Sequence, residues 1–271
     1  MVKRSVAAIT DIYQNSILKD SSRNSFMIKR MEDLADRTVW AMGEQLKCGD
    51  FVPFVFEHKF NMEVGDGDRK QLMSGTIDRV DICENGTDVY VRIIDYKTGK
   101  KDFNIVKTYY GIDIQLMVYM EAAMKLVAKM RPGKNVIPAG VFYYNISDPI
   151  VSATTESAEE IEDKIKGELR LKGMVNSDKD IAEKMDNTGG TSLNIPVSRK
   201  AEGGFDSRRS KVMNTEQFNM LGRFVDVRAV DTADRIAGGD IRRSPYKDGQ
   251  FSSCDRCPYG LSLIHISEPT R

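Results

Sequence analysis

The 271-residue chain lacks several features that would place it in a familiar class. Its four cysteines, Cys48, Cys83, Cys254 and Cys257, are too few for a disulfide scaffold. No apolar run approaches the ~20 residues of a membrane-spanning helix. The N-terminus has no signal-peptide core, so a cytoplasmic protein with no membrane partner is expected. No Gly-x-x-x-x-Gly-Lys-Ser/Thr loop occurs, so ATP use would belong to other sequence or to a partner. Charge of one sign is missing too: 40 basic residues balance 40 acidic ones. That speaks against a non-specific nucleic-acid coat, although a cleft needs only a local basic patch. The one tryptophan, Trp40, is expected in the core.

What is present centres on Met73 to Lys101. An apolar and β-branched run around Ile77, Val80 and Ile82 leads to Asn85-Gly86, and Val89 to Ile94 follows at once. Asn-Gly between two such runs signals a hairpin, because a type I′ turn needs positive φ at both central residues. With Asn85 and Gly86 in the turn, Glu84 pairs with Thr87 and Asp78 lies opposite Ile93. Asp95 then sits diagonally from Asp78 on the same face, at roughly 7–8 Å between Cα atoms. Lys97 shares that face by strand alternation. A slip of one residue would turn Asp78 to the other side. The spacing therefore predicts two acids and one amine converging at the end of a hairpin.

A solvated surface ion pair is the plain alternative for one Asp-x-Lys. Two features favour a site. Ile93-Ile94 before Asp95 reads as a strand buried on both faces, where charges are costly without a partner or metal. A second acid, Asp78, also arrives in register.

The residues Gly75-Thr76-Ile77-Asp78-Arg79-Val80-Asp81 and Ile94-Asp95-Tyr96-Lys97-Thr98-Gly99 resemble the RecB-type core of the PD-(D/E)XK nucleases. More closely, they resemble the C-terminal nuclease domains of the AddB family of helicase/deoxyribonuclease subunits. The resemblance implies an α/β fold with a mixed central sheet flanked by helices. It also implies Mg2+ held by Asp78, Asp95 and the backbone carbonyl of Tyr96, with Lys97 as a catalytic amine. Glu57, in the strand run Phe51 to Phe60, is a candidate third acid, with a solvent-facing strand residue as the alternative; His58 is out of phase with it and structural.

Downstream, Ile112, Leu116, Tyr119, Ala123 and Leu126 follow helical spacing up to about Lys129. Gln115 and Tyr119 lie one turn apart on one face. Tyr119 has core packing as its alternative, but Gln115-Leu116-x-x-x-Tyr119 resembles the helix motif that orients DNA and the lysine in RecB-type nucleases. Gln115, Tyr119 and Tyr110 would position the strand. Pro138 to Ile146 is a run of β-formers.

The expected segments are a helical 1–47, a nuclease core over 48–146, a polar insertion without chemistry over 147–204, and a C-terminal segment over 205–260. Within 1–47, Arg23, Lys29, Arg30 and Arg37 fit an exposed helical face better than a DNA path. The C-terminal segment holds an amphipathic helix from Thr215 to Ala237 and the pair Cys254-x-x-Cys257. Alone, that pair suits zinc, redox or iron–sulfur chemistry. In the family it resembles the end of a 4Fe-4S staple whose other two ligands are absent here; Leu263 stands where a third is expected. Cys48 and Cys83 are expected to be buried and inert. Residues 261–271 resemble an in-frame translation of a transposase sequencing adapter, and His265 is given no role. The family's early histidine motif and N-terminal cysteine would precede Met1.

The likeness implies a magnesium-dependent exonuclease acting on single-stranded DNA ends at double-strand breaks, with an AddA-type helicase–nuclease partner. Two alternatives stand beside it: a stand-alone CRISPR-associated RecB-like exonuclease, and a catalytically dead DNA-binding or scaffold module.

Overall fold

The computed structural model describes residues 2–12, 21–65, 70–152, 155–242, 245–249 and 251–256. Two helices come first, α1 (Val2–Ile12) and α2 (Ser22–Lys47). Ser21 caps α2, its hydroxyl accepting from the Asn24 amide. Arg23, Lys29 and Arg30 are exposed on it, whereas Arg37 lies over the half-buried Trp40 ring, 5.6 Å from its centroid. Strands β1 (Val52–Val64), β2 (Gln71–Asn85) and β3 (Asp88–Lys97) then form an antiparallel meander. Helices α3 (Ile105–Tyr109) and α4 (Gln115–Met130) carry the chain over to β4 (Asn135–Asn145), which runs parallel to β3. Helix α5 (Ala158–Glu168), β5 (Lys172–Asn176), α6 (Lys179–Met185), β6 (Val212–Met213) and α7 (Thr215–Ala237) follow. The short strands β7 (Lys247–Asp248) and β8 (Phe251–Ser252) make a separate hairpin.

The six long-sheet strands lie in sequence order, β1-β2-β3-β4-β5-β6, in mixed orientation and flanked by helices. Strand alternation gives the sheet two faces. Val89, Val91 and Ile93 face α4 and α7, together with Leu116, Val127, Phe218 and Val225. Tyr90 and Ile94 face the other way, with Phe142, Tyr144, Leu169 and Ile181.

Two expectations need correction. The hairpin register differs by two residues from the one predicted: Glu84 pairs with Val89 and Asn85 with Asp88, which leaves Gly86-Thr87 as the turn. Gly86 takes φ +61°, the first central position that glycine fills in a type II′ turn. Asn85 stays in the strand because its side-chain amide donates to Tyr90 Oη (3.2 Å) and to Asp180 Oδ2 on α6 (3.0 Å). A shift of two preserves the faces, so Asp78 now falls across from Asp95 itself.

The second correction concerns residues 147–204, which are not peripheral. Strand β5 pairs with β4, and Leu169, Leu171, Val175, Ile181, Met185, Ile195 and Val197 are buried in the second core cluster. Cys257, His265 and the whole of 261–271 fall outside the described residues.

Candidate active site

The middle of β2 and the end of β3 carry the predicted acids. The ladder closes at Arg79 opposite Ile94; beyond that point the Asp78 carboxylate replaces a backbone acceptor and takes the Tyr96 amide hydrogen at 2.7 Å. This bond fixes Asp78 against the residue whose own carbonyl, in the next peptide unit, was expected to serve as a ligand.

Asp95 is only 2 % exposed. Burial pushes its carboxyl above the ordinary carboxylate range, opposed by Lys97 and reinforced by the nearby charge of Asp78. Lys97 Nζ lies 2.5 Å from Asp95 Oδ2. That oxygen is sealed from solvent, and the Lys97 ammonium is what offsets its burial. Lys97 also donates to Gln115 Oε1 at 3.2 Å, and Gln115 Nε2 donates to Tyr119 Oη at 2.9 Å. Gln115 opens α4, so one turn of that helix ties the lysine to the tyrosine. The Tyr119 ring meets Phe60 edge-on at 5.8 Å, and both lie over Gly75. A Cβ there would come within 2.9 Å of Phe60 and 3.3 Å of Tyr119, which is why the strand is bare at that point.

The structure thus brings Asp95, Lys97, Gln115 and Tyr119 into one connected row, with Asp78 at its edge. It leaves two candidates apart from that row. Glu57 is exposed and sits across from Asp78 between the Phe56–Arg79 and His58–Ile77 pairs, with φ +49°, a strained conformation for a non-glycine residue. Tyr110 is 52 % exposed and packs on Tyr246, with ring centroids 4.7 Å apart.

Three residues at the site were not anticipated. Lys101 forms an ion pair with Asp113, and the ammonium groups of Lys97 and Lys101 lie 5.7 and 5.5 Å from the Tyr143 ring centroid. Tyr143 Oη is buried without a hydrogen-bond partner among the described residues, and burial pushes its phenol well above the usual range, with Asp113 and Asp95 adding to the effect. Lys101 follows Lys97 by four residues, a weak signal; Tyr143 in a run of β-formers carries none.

On the opposite face of the same strands a second charged cluster is closed on itself. Arg79 Nε and Nη2 donate to both oxygens of Asp81, at 2.6 and 2.8 Å, and Arg92 Nε donates to Oδ2 at 2.9 Å. All three residues are at most 2 % exposed. Arg92 covers the Phe51 ring at 4.9 Å, and Arg79 Nη1 reaches Tyr96 Oη at 3.4 Å.

The residues present suit a small hard cation. Two carboxylates and a peptide carbonyl are oxygen ligands of the kind magnesium takes, with water and phosphate completing its shell. The buried Asp95 carboxylate, paired only with the Lys97 ammonium among the described residues, is the group such an ion would further satisfy. No group of three or more His, Cys, Asp or Glu side chains forms a full cage among the described residues. An iron–sulfur group finds less support. Cys254 is a half-buried free thiol in a 3-10 turn, Ser253–Arg256. Cys83 is buried, whereas Cys48, expected to be buried, is only half-buried; burial raises both thiols.

Residues 2–260 match a family described as the PD-(D/E)XK nuclease superfamily. The chain is 35 % identical over 254 residues to an AddB-type ATP-dependent helicase/deoxyribonuclease subunit of Clostridium botulinum (strain Hall), covering 90 % of this chain and 22 % of that protein. The same subunit of Caldanaerobacter subterraneus subsp. tengcongensis is 36 % identical over 265 residues, covering 94 % and 22 %. That of Thermoanaerobacter sp. (strain X514) is 35 % identical over 254 residues, covering 90 % and 22 %. The chain spans about a fifth of the length of these relatives, and no helix among its described residues is long and apolar enough to cross a membrane. Sheet, hairpin site and sequence likeness agree that this chain belongs to the PD-(D/E)XK nuclease superfamily.

Proposed function

We propose that this chain is a magnesium-dependent deoxyribonuclease unit of a helicase–nuclease, hydrolysing phosphodiester bonds near single-stranded ends during double-strand break processing. The observation that carries this reading is the buried Asp95 carboxylate, its proton affinity raised by burial, beside Lys97 and Asp78. The names of the relatives favour work with an AddA-type helicase partner over a stand-alone CRISPR-associated exonuclease.

Asp78, Asp95 and the Tyr96 carbonyl would hold the ion, and Glu57 is a further candidate across the ladder from Asp78. Bound magnesium would polarise the scissile phosphate and acidify a water molecule. Lys97, held by Gln115, would donate to the water or to a phosphate oxygen as negative charge develops there. The water oxygen would bond to phosphorus as the P–O bond to the leaving sugar oxygen breaks, and that oxygen would take up a proton. Tyr119 would keep Gln115 aimed at the lysine. Cys254 and Cys257 are proposed as half of an iron–sulfur site, which iron analysis of the purified protein would test.

The deciding experiment is magnesium-dependent cleavage of single-stranded DNA by the chain and by Asp95→Ala. Cleavage that is lost in the variant supports the reading. Metal-independent cleavage, or equal activity in the variant, sinks it, and no cleavage by either protein favours the scaffold module.

A further inference from the structure

Beside the acid–lysine row, a cleft of about 750 Å³ is lined by five lysines, Lys97, Lys100, Lys101, Lys107 and Lys211, against two aspartates. Lys97, Lys101 and Lys211 are paired with Asp95, Asp113 and Asp102, yet lysines still outnumber carboxylates around this cleft. In a neutral chain it is therefore a local excess of positive charge of the kind that follows a phosphate backbone. At its rim, α3 ends in two adjacent tyrosines. Tyr109 and Tyr110 are 58 and 52 % exposed, an unusual display for two large rings side by side. Their orientation is not left to solvent. Tyr109 stacks on Phe224 of α7 with centroids 5.3 Å apart and planes 6° from parallel. Tyr110 meets Tyr109 edge-on at 5.2 Å and leans on Tyr246 at 4.7 Å. Tyr246 is in turn pinned to Ser253, which lines the cleft, by hydrogen bonds of 3.0 Å in both directions. Phe224 packs against the main core, so the platform is anchored to the body of the protein.

We propose that Tyr109 and Tyr110 form a base-stacking step for single-stranded DNA whose phosphates run along the lysine cleft toward Lys97. This rests on the nuclease reading above and adds how a strand is gripped. Rings held rigid on one side and open on the other offer a π-face to any base, so the grip is tolerant of sequence and selective for unpaired strands. Duplex DNA keeps its base faces stacked on one another and would meet only the lysines.

The test separates bases from phosphates. The full chain, with chelator present, is titrated with a fluorescent oligothymidylate of about 10 nucleotides and with an abasic strand of the same length. The expected result is about tenfold or greater preference for the strand that carries bases. The Tyr109→Leu/Tyr110→Leu double variant should lose that preference while holding the abasic strand as before, and Tyr109→Phe/Tyr110→Phe should keep it. Equal affinity of the unmodified chain for both strands overturns the proposal. So does an equal loss on both strands in the leucine variant, which would mean the rings only support the fold. Base-dependent binding without magnesium-dependent cleavage would support the step while the nuclease reading fails; cleavage without base preference would do the reverse.

Discussion

Asp81 and Asp95 are both buried carboxylates on the β2–β3 hairpin, each beside a cationic side chain, yet they face opposite sides of the sheet and differ in one respect. Asp81 has both oxygens filled by two guanidinium groups, whereas Asp95 has a single ammonium, that of Lys97, against one oxygen among the described residues. A buried charge with all its bonds made can hold a register, while one with fewer bonds has its proton affinity raised by burial and leaves room for a ligand. Alternation along two short strands puts the closed cluster and the open one back to back.

The comparison can be broken first from the closed side. Asp81→Leu would leave two buried guanidinium groups unpaired, and a loss of about 3–5 kcal/mol is expected, read by urea unfolding. A loss comparable to a surface substitution would mean that Arg79 and Arg92 find other partners. From the open side, Asp95→Asn should abolish cleavage while making the fold more stable at neutral pH. Folding raises the carboxyl's proton affinity, so the protonated form is favoured in the folded state at low pH. That contribution is lost as pH rises from the ordinary carboxylate value through the raised one. The melting temperature of the unmodified chain should therefore fall relative to the variant across that window, and parallel profiles would refute the assignment. The smallest effect is expected at Gln115→Leu, which removes the support of Lys97 but not the lysine. Cleavage should slow by about 10–100-fold with folding stability nearly unchanged, as measured by single-turnover rates and thermal melts.

Much of the hairpin was legible because alternation of apolar residues is a local property. The face shared by Asp78, Asp95 and Lys97 could be read from Val80, Ile82, Val91 and Ile93, and it survived an error of two residues in register. The error itself arose from Asn85, whose amide is claimed by Tyr90 and by Asp180, 95 positions away, a tie that no local turn preference can reveal. Gln115 and Tyr119 were legible because a helix turn joins them. Lys101, Asp113 and Tyr143 were not, since they meet only after α4 folds back and β4 pairs with β3. Strand β5 was hidden by composition: Lys172-Gly173-Met174-Val175-Asn176 is short and polar at both ends, and only its pairing with β4 gives it a place in the sheet.

Gly75 has one more consequence. With two rings resting on bare backbone, α4 and the β1–β2 pair are wedged together, and neither can slide past the other without lifting an aromatic side chain out of place. The distance from helix to hairpin is thus set by fit before any nucleic acid arrives. The chain resembles a vice whose jaws were adjusted at folding rather than a hand that closes on its load.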